Sequence, residues 1–282
     1  QGPSMKNFKN PEAPKVPIIE HADVRRMLLD MKARVEGIRA LIVKLSVHQD
    51  RAEVTEDDSE REYHAGQVDL LVPLVKAYGS DQGFEISAKA IQVFGGSGFL
   101  KDHPVEQYCR DAKIFSIYEG TNHIQALDLV GRKLGQRGGA NLQAFLKDLG
   151  GFAAKYAEHE TLGTAAKQLG EAGKALGATA MRFLGWFQGG KAELVPLHAN
   201  TYLDMMSVSA VAWLLLEQAA LAEAKLKELA EDDNERPFYL GKKYAALYFA
   251  NLELPSVLKG AEHIGTEDRT PLEIPDEAFA TI

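Results

Sequence analysis

Ile114-Phe115-Ser116-Ile117-Tyr118-Glu119-Gly120-Thr121-Asn122-His123-Ile124-Gln125 joins two apolar, helically spaced patterns through a polar elbow, Glu119-Gly120-Thr121-Asn122. Locally it reads as a helix boundary. Gly120 suits the C′ position of one helix, and Thr121 or Asn122 suits the N-cap of the next. The glutamate opens a second reading, because a carboxylate set between apolar segments is costly to desolvate unless something compensates.

Upstream of the elbow the periodicity is helical. Val24, Met27, Leu28, Met31, Val35, Ile38, Leu41, Ile42 and Leu45 recur at helix spacing after Asp23, a candidate N-cap. Residues 1–18, with Pro3, Pro11, Pro14 and Pro17, read as a surface connector. Arg51 to Glu62 reads as a solvated, charge-rich break. A second helix is expected from Glu60 to Tyr78, kinked at Pro73. A turn at Gly79-Ser80-Asp81 and a third helix from Phe84 to Phe94 follow, then the glycine run Gly95-Gly96-Ser97-Gly98. Pro104 opens a segment from Val105 to Ile117 that leads into the elbow, and a helix from Asn122 to Leu134 leads out of it. Gly135 to Gly139 reads as a linker. Beyond it, 141–158, 164–187, 203–230 and 238–250 are amphipathic patterns rich in alanine and leucine. Gly150-Gly151 and Gly189-Gly190 read as breaks, and the tail from Gly265 as extended. No alternating strand pattern occurs. The fold class is therefore all-α, in bundles of long antiparallel helices.

The 282 residues are enough for one large domain or two ordinary ones, and 45% are hydrophobic. A net charge of −8 argues against nucleic acid or an anionic membrane as partner. The single cysteine, Cys109, leaves no disulfide framework and no cysteine-based zinc site. The longest apolar run, Val208 to Leu216, is too short for a membrane span and reads as a buried helix segment. A soluble cytoplasmic protein is expected.

Few residues offer chemistry. The glycine run follows a helix rather than a strand, so it lacks the context of a Rossmann or P-loop site, though such a turn can let a ligand approach the backbone. Glu158-His159-Glu160 are adjacent and do not converge on a metal. His48, His64, His103 and His198 are scattered, so no metal site is expected. Trp186 and Trp213 read as core or interface anchors. The Tyr118-Glu119 pair is the best acid–base candidate, since a partly buried carboxyl at a rigid junction suits a general base.

Two stretches together carry more information. Ala90-Ile91-Gln92-Val93-Phe94-Gly95-Gly96-Ser97-Gly98-Phe99 precedes Arg110-Asp111-Ala112-Lys113 and the elbow. In order, spacing and identity they resemble the C-terminal helical domain of the acyl-CoA dehydrogenases. His21-Ala22-Asp23-Val24-Arg25-Arg26-Met27-Leu28-Leu29 resembles a segment of that family's extended members, which carry an additional C-terminal helical region. The likeness is strong over 1–137, read as the flavin-domain helical bundle, and looser over 138–282, read as the extension. Gln1-Gly2 stands where the extended members have Gln-Gly, whereas a common protease scar would begin at Gly. The likeness implies a native fragment without the upstream helical domain, the β-barrel domain and the first helix of the bundle.

The resemblance also implies a function: FAD-dependent oxidation of an acyl-CoA to the 2-enoyl-CoA, as in fatty acid β-oxidation. Glu119 matches the base that takes the α-proton while the β-hydride passes to the flavin, and its backbone N–H matches an oxyanion donor to the thioester carbonyl. Tyr118 and Gly120 are expected at the acyl substrate. Thr121 matches a residue that contacts FAD; His123 stands where the family usually has Gln at such a contact. Gln92, Gly95 and Gly96 match the segment that contacts the adenosine-diphosphate part, usually from the neighbouring subunit, which implies a homodimer. Arg110 and Asp111 are expected to support the elbow by an ion pair. Electron-transfer flavoprotein is the expected acceptor. An acyl-CoA oxidase would use the same base, and a non-catalytic helical module for oligomerisation or partner binding would keep the same scaffold. The chain alone is expected to turn over little, since the missing domains would wall the site.

Overall fold

The computed structural model describes residues 2–10 and 12–280, so Gln1 of the Gln1-Gly2 pair and Pro11 lie outside the described residues. Two two-residue segments, β1 (Gly2–Pro3) and β2 (Lys15–Val16), pair antiparallel and close the N-terminal connector. They are too short to leave an alternating pattern. The main elements are helices joined by short loops and single 3-10 or π turns: α1 (Ala22–Val54), α2 (Asp58–Phe94), α3 (Gly96–Phe99), α4 (Val105–Ala112), α5 (Asn122–Asp128), α6 (Ala140–Tyr156), α7 (Gly163–Gln188), α8 (Leu194–Glu228), α9 (Arg236–Gly265) and α10 (Thr270–Glu273).

The boundaries differ from the sequence expectation in instructive ways. The charge-rich break shrinks to 55–57, because α1 continues to Val54 and Asp57 caps α2 by accepting the Glu60 N–H at 2.8 Å. The helices expected on either side of Gly79-Ser80-Asp81 are one helix, α2, which runs through both that tripeptide and the buried Pro73. Interior glycines cost about 1 kcal/mol each against alanine, but α2 packs on α1, α4, α5 and α8, and this tertiary burial outweighs the local preference. Gly150-Gly151 likewise lies inside α6, and α9 continues past Pro255.

α8 is the central element. Its buried residues include Tyr202, Met206, Val211, Ala212, Leu215 and Leu216, on all sides of the helix. By length and composition it could cross a membrane, but 78% of its most apolar window is buried inside the protein. A helix apolar all round and covered by other helices is a core element. α1 crosses it closely at Gly37, where an added Cβ would stand 2.4 Å from Val211 Cγ1. The buried side chains form one continuous core, from Ala33 and Leu70 on the first side of the 137/138 junction to Phe249 and Ile264 on the second. Trp186 and Trp213 are both buried, as core anchors should be, and the Trp186 indole donates to Glu267 at 3.1 Å.

A polar pair with one buried member, His48, and one half-buried, His64, stands near the α1–α2 turn. His48 is 4% exposed, and its Nδ1 lies 2.8 Å from Nδ1 of His64. Burial, with the Lys44 ammonium and His64 adding to it, pushes His48 down to about 4. In an unfolded chain a histidine takes up its proton near pH ~6.5. Between those values the unfolded state binds the extra proton, so stability falls as the pH drops from ~6.5 toward 4. Urea midpoints measured from pH 7.5 to pH ~4.5 should therefore fall less steeply in His48→Gln than in the parent. Equal slopes would show that His48 does not titrate with folding.

Candidate functional site

The elbow is built by a change of helix type. α4 passes into a 3-10 turn, Lys113–Ser116, and the Ile117 and Tyr118 N–H groups both donate to the Ile114 carbonyl, at 2.9 and 3.0 Å. The chain then takes two consecutive left-handed residues, Glu119 with φ 53° and Gly120 with φ 87°. Glycine takes this region freely. A glutamate there is strained by roughly 1–3 kcal/mol. Thr121 occupies the N-cap of α5, yet its hydroxyl makes no capping bond. The backbone N–H groups of Glu119, Gly120 and Thr121 have no acceptor among the described residues. The junction thus offers an unbonded amide at the same residue that carries the carboxylate.

The elbow is tied to the middle of α2. The Lys76 ammonium donates to the Gly120 carbonyl at 2.9 Å and to Asn122 Oδ1 at 2.8 Å. The Asn122 amide donates to the Ala77 carbonyl at 3.1 Å and to Ser80 Oγ at 2.9 Å. Lys76 and Ser80 were not among the sequence candidates. A polar residue among Leu71, Val72 and Val75 was the available signal for Lys76, and the turn expected at 79–81 concealed Ser80. The predicted Arg110–Asp111 ion pair exists at 3.7 Å, but Arg110 is exposed and its other partner, Glu106, is on α4 as well. That pair does not reach the elbow; Lys76 and Asn122 do what it was expected to do.

The remaining candidates fall into two groups. Tyr118, Glu119, Gly120, Thr121 and His123 are together and exposed. Glu119 is thus on open surface in this chain, not partly buried as its neighbours in sequence suggested. The His123 ring bonds through Nδ1 to Asn200 Oδ1 of α8 at 3.1 Å, a contact made by the second half of the chain. Gln92, Gly95 and Gly96 are at the far end of α2. Twelve residues separate Gln92 from Ser80, which is roughly 18 Å along a helix. Gly95 has φ 63°, and nothing lies within 4 Å of where a Cβ would stand on Gly95 or Gly96, so the turn is open to a ligand. One chain does not bring the two groups into contact.

Exposed apolar side chains flank both groups in the sequence. Phe94, Phe99, Leu100, Tyr108, Ile114 and Ile117 are all about half exposed or more. Clusters of this kind mark surfaces that another body covers. Clefts of about 730 Å³ beside Trp213 and about 600 Å³ between α6 and α7 do not include the elbow. The described residues hold no cluster of three or more His, Cys, Asp or Glu suited to a metal. His159 instead accepts the Thr161 and Leu162 N–H groups at the start of α7.

A family model for the acyl-CoA dehydrogenase C-terminal domain matches residues 4–134, and one described as acetyl-CoA dehydrogenase C-terminal like matches residues 140–275. A butyryl-CoA dehydrogenase of Syntrophomonas wolfei is 34% identical over 272 residues, which is 96% of this chain and 44% of that protein. The broad-specificity linear acyl-CoA dehydrogenase FadE5 of Mycobacterium tuberculosis is 36% identical over 285 residues, 99% of this chain and 46% of the relative. The chain therefore spans a little under half the length of these relatives. In fold, it is similar to an acyl-CoA dehydrogenase of Bacillus anthracis complexed with FAD, with a TM-score of 0.64 at 18% identity over 93% of this chain and 44% of that one. It is also similar to Caenorhabditis elegans ACDH-11 in complex with C11-CoA, with a TM-score of 0.63 at 20% identity over 88% of this chain and 39% of that one. This chain belongs to the acyl-CoA dehydrogenase family, as the C-terminal part of a member of the extended type.

Proposed function

We propose that the protein containing this chain is an FAD-dependent acyl-CoA dehydrogenase of the fatty acid β-oxidation type, and that the elbow is its catalytic half-site. The carrying observation is the conformation of Glu119, whose strained left-handed backbone presents an exposed carboxylate and an unbonded N–H at one point. Strain of this sort persists only where surrounding structure enforces it, and Lys76 and Asn122 do so here.

In the proposed reaction an acyl-CoA lies against Tyr118 and Gly120. The Glu119 carboxylate takes the proton from the α-carbon. The Glu119 N–H donates to the thioester oxygen, stabilising the negative charge that gathers there. FAD, when bound, supplies the acceptor for the β-hydride, so the product is the 2-enoyl-CoA. Thr121 and His123 would hold the cofactor near the reacting carbons. Gln92, Gly95 and Gly96 would contact its adenosine-diphosphate part from a second copy of the chain. The open glycine turn and its distance from the elbow support a homodimer that shares its cofactor sites, and the exposed apolar side chains from Phe94 to Ile124 support a covering body. The names of the relatives, a butyryl-CoA and a linear acyl-CoA dehydrogenase, support the substrate class. We place the enzyme in the cytoplasm, with electron-transfer flavoprotein as acceptor. This chain alone should turn over little, because it leaves Glu119 open to water.

The test is anaerobic addition of acyl-CoA to the full-length protein. The expected result is a yellow protein whose flavin absorbance bleaches on addition of substrate. A colourless protein that takes up no FAD would overturn the proposal and favour a non-catalytic helical module.

A further inference from the structure

We infer that Lys76 is a positioning residue for the catalytic elbow, acting on the Gly120–Thr121 peptide from the middle of α2. This rests on Glu119 being the base. Lys76 donates to the Gly120 carbonyl at 2.9 Å and to Asn122 Oδ1 at 2.8 Å, and no carboxylate among the described residues forms an ion pair with it. Its two acceptors are neutral and belong to the residues on either side of Thr121. An ammonium spent on neutral acceptors at one loop, instead of on an acid, marks that loop as the thing it holds.

The consequence follows from peptide geometry. Among the described residues no peptide bond is cis. In a planar trans peptide the C=O and N–H point in opposite directions. With the Gly120 carbonyl drawn inward to Lys76, the Thr121 N–H must point away from α2, to the side where it has no acceptor of its own. The same anchor fixes the C-terminal end of the Glu119-Gly120 pair. Gly120 alone could take many conformations, so the left-handed pair would otherwise relax and carry the Glu119 carboxylate and N–H to other positions. Asn122 completes the clamp through Ala77, the next residue of the same helix, and Ser80, one turn further along.

Lys76 touches neither reacting atom in this reading, so its loss should act on the chemical step more than on substrate binding. The test uses the full-length enzyme with Lys76→Met and Lys76→Arg. Lys76→Met is expected to lower kcat per bound FAD by roughly tenfold, with KM changed less than about twofold. Cleavage after Glu119 by a glutamate-specific protease, mapped by mass spectrometry, should become faster in the same variant. Lys76→Arg, which keeps a charged donor, should restore both. If Lys76→Met does not fold, Lys76→Gln, a shorter neutral donor, is held to the same two measurements.

Parental kcat in the neutral variant overturns the inference. So does a slow variant whose elbow is cleaved at the parental rate, because the effect would then not run through the elbow. If instead Glu119→Gln turns over normally, the base assignment fails, while the cleavage rates still decide whether Lys76 holds the loop.

Discussion

On the proposed function, Glu119→Gln in the full-length protein is expected to retain bound FAD and to reduce it with acyl-CoA about 10²–10⁴-fold more slowly than the parent, the range that a general base contributes. Gln preserves the length and the backbone N–H of the residue and removes only the ability to accept the α-proton. Any oxyanion bond from the Glu119 amide therefore survives, and the loss reports the carboxylate alone. A second variant guards against misfolding as the cause. Glu119 sits at φ 53°, a conformation that disfavours any residue with a Cβ. Glu119→Gly relieves that strain but loosens the unfolded chain, so it should unfold no more readily than the parent, to within about 1 kcal/mol. Stopped-flow flavin bleaching and a urea titration separate the two effects. Reduction of Glu119→Gln at the parental rate would remove Glu119 from the mechanism.

Arg34→Met should cost about 3 kcal/mol of stability, the loss typical when one partner of a buried ionic group is removed. The Arg34 guanidinium bonds both Asp30 carboxylate oxygens, at 3.0 and 3.1 Å, and Gln82 Oε1 at 2.6 Å, and it pairs with Glu253. One side chain on α1 thereby joins α2 and α9. The Asp30 side chain is 2% exposed and also pairs with Lys89 of α2. Removing the guanidinium leaves Asp30 with Lys89 alone and deprives Glu253 of its ion-pair partner. The measurement is the urea midpoint, with the slope unchanged if only stability has moved. A loss under about 1 kcal/mol would mean that water reaches the cluster and screens it as it does a surface pair.

The elbow was legible because its signals are local. Gly120 and Gly95 punctuate helices, and both prove to need positive φ. What the elbow leans on was not legible. Lys76 is 44 residues from Gly120, and Asn200 is 77 residues from His123. Periodicity carries no information about which polar residues meet across such gaps. The exposure of Glu119 is not legible for the same reason: apolar neighbours in sequence do not bury a residue when their own side chains face outward, as Ile114, Ile117 and Tyr118 do.

By itself the sequence determined the all-α class, the long helices and the residue types at the elbow, because each follows from spacing or backbone preference within a few turns. Tertiary structure decided that α2 runs unbroken through Pro73 and Gly79, that α8 joins both halves of the chain in one core, and that Lys76 and Asn122 hold Glu119 in its strained conformation. Packing outweighs local propensity where a helix is covered by several others, since the area buried by four neighbours exceeds the cost of one glycine or proline.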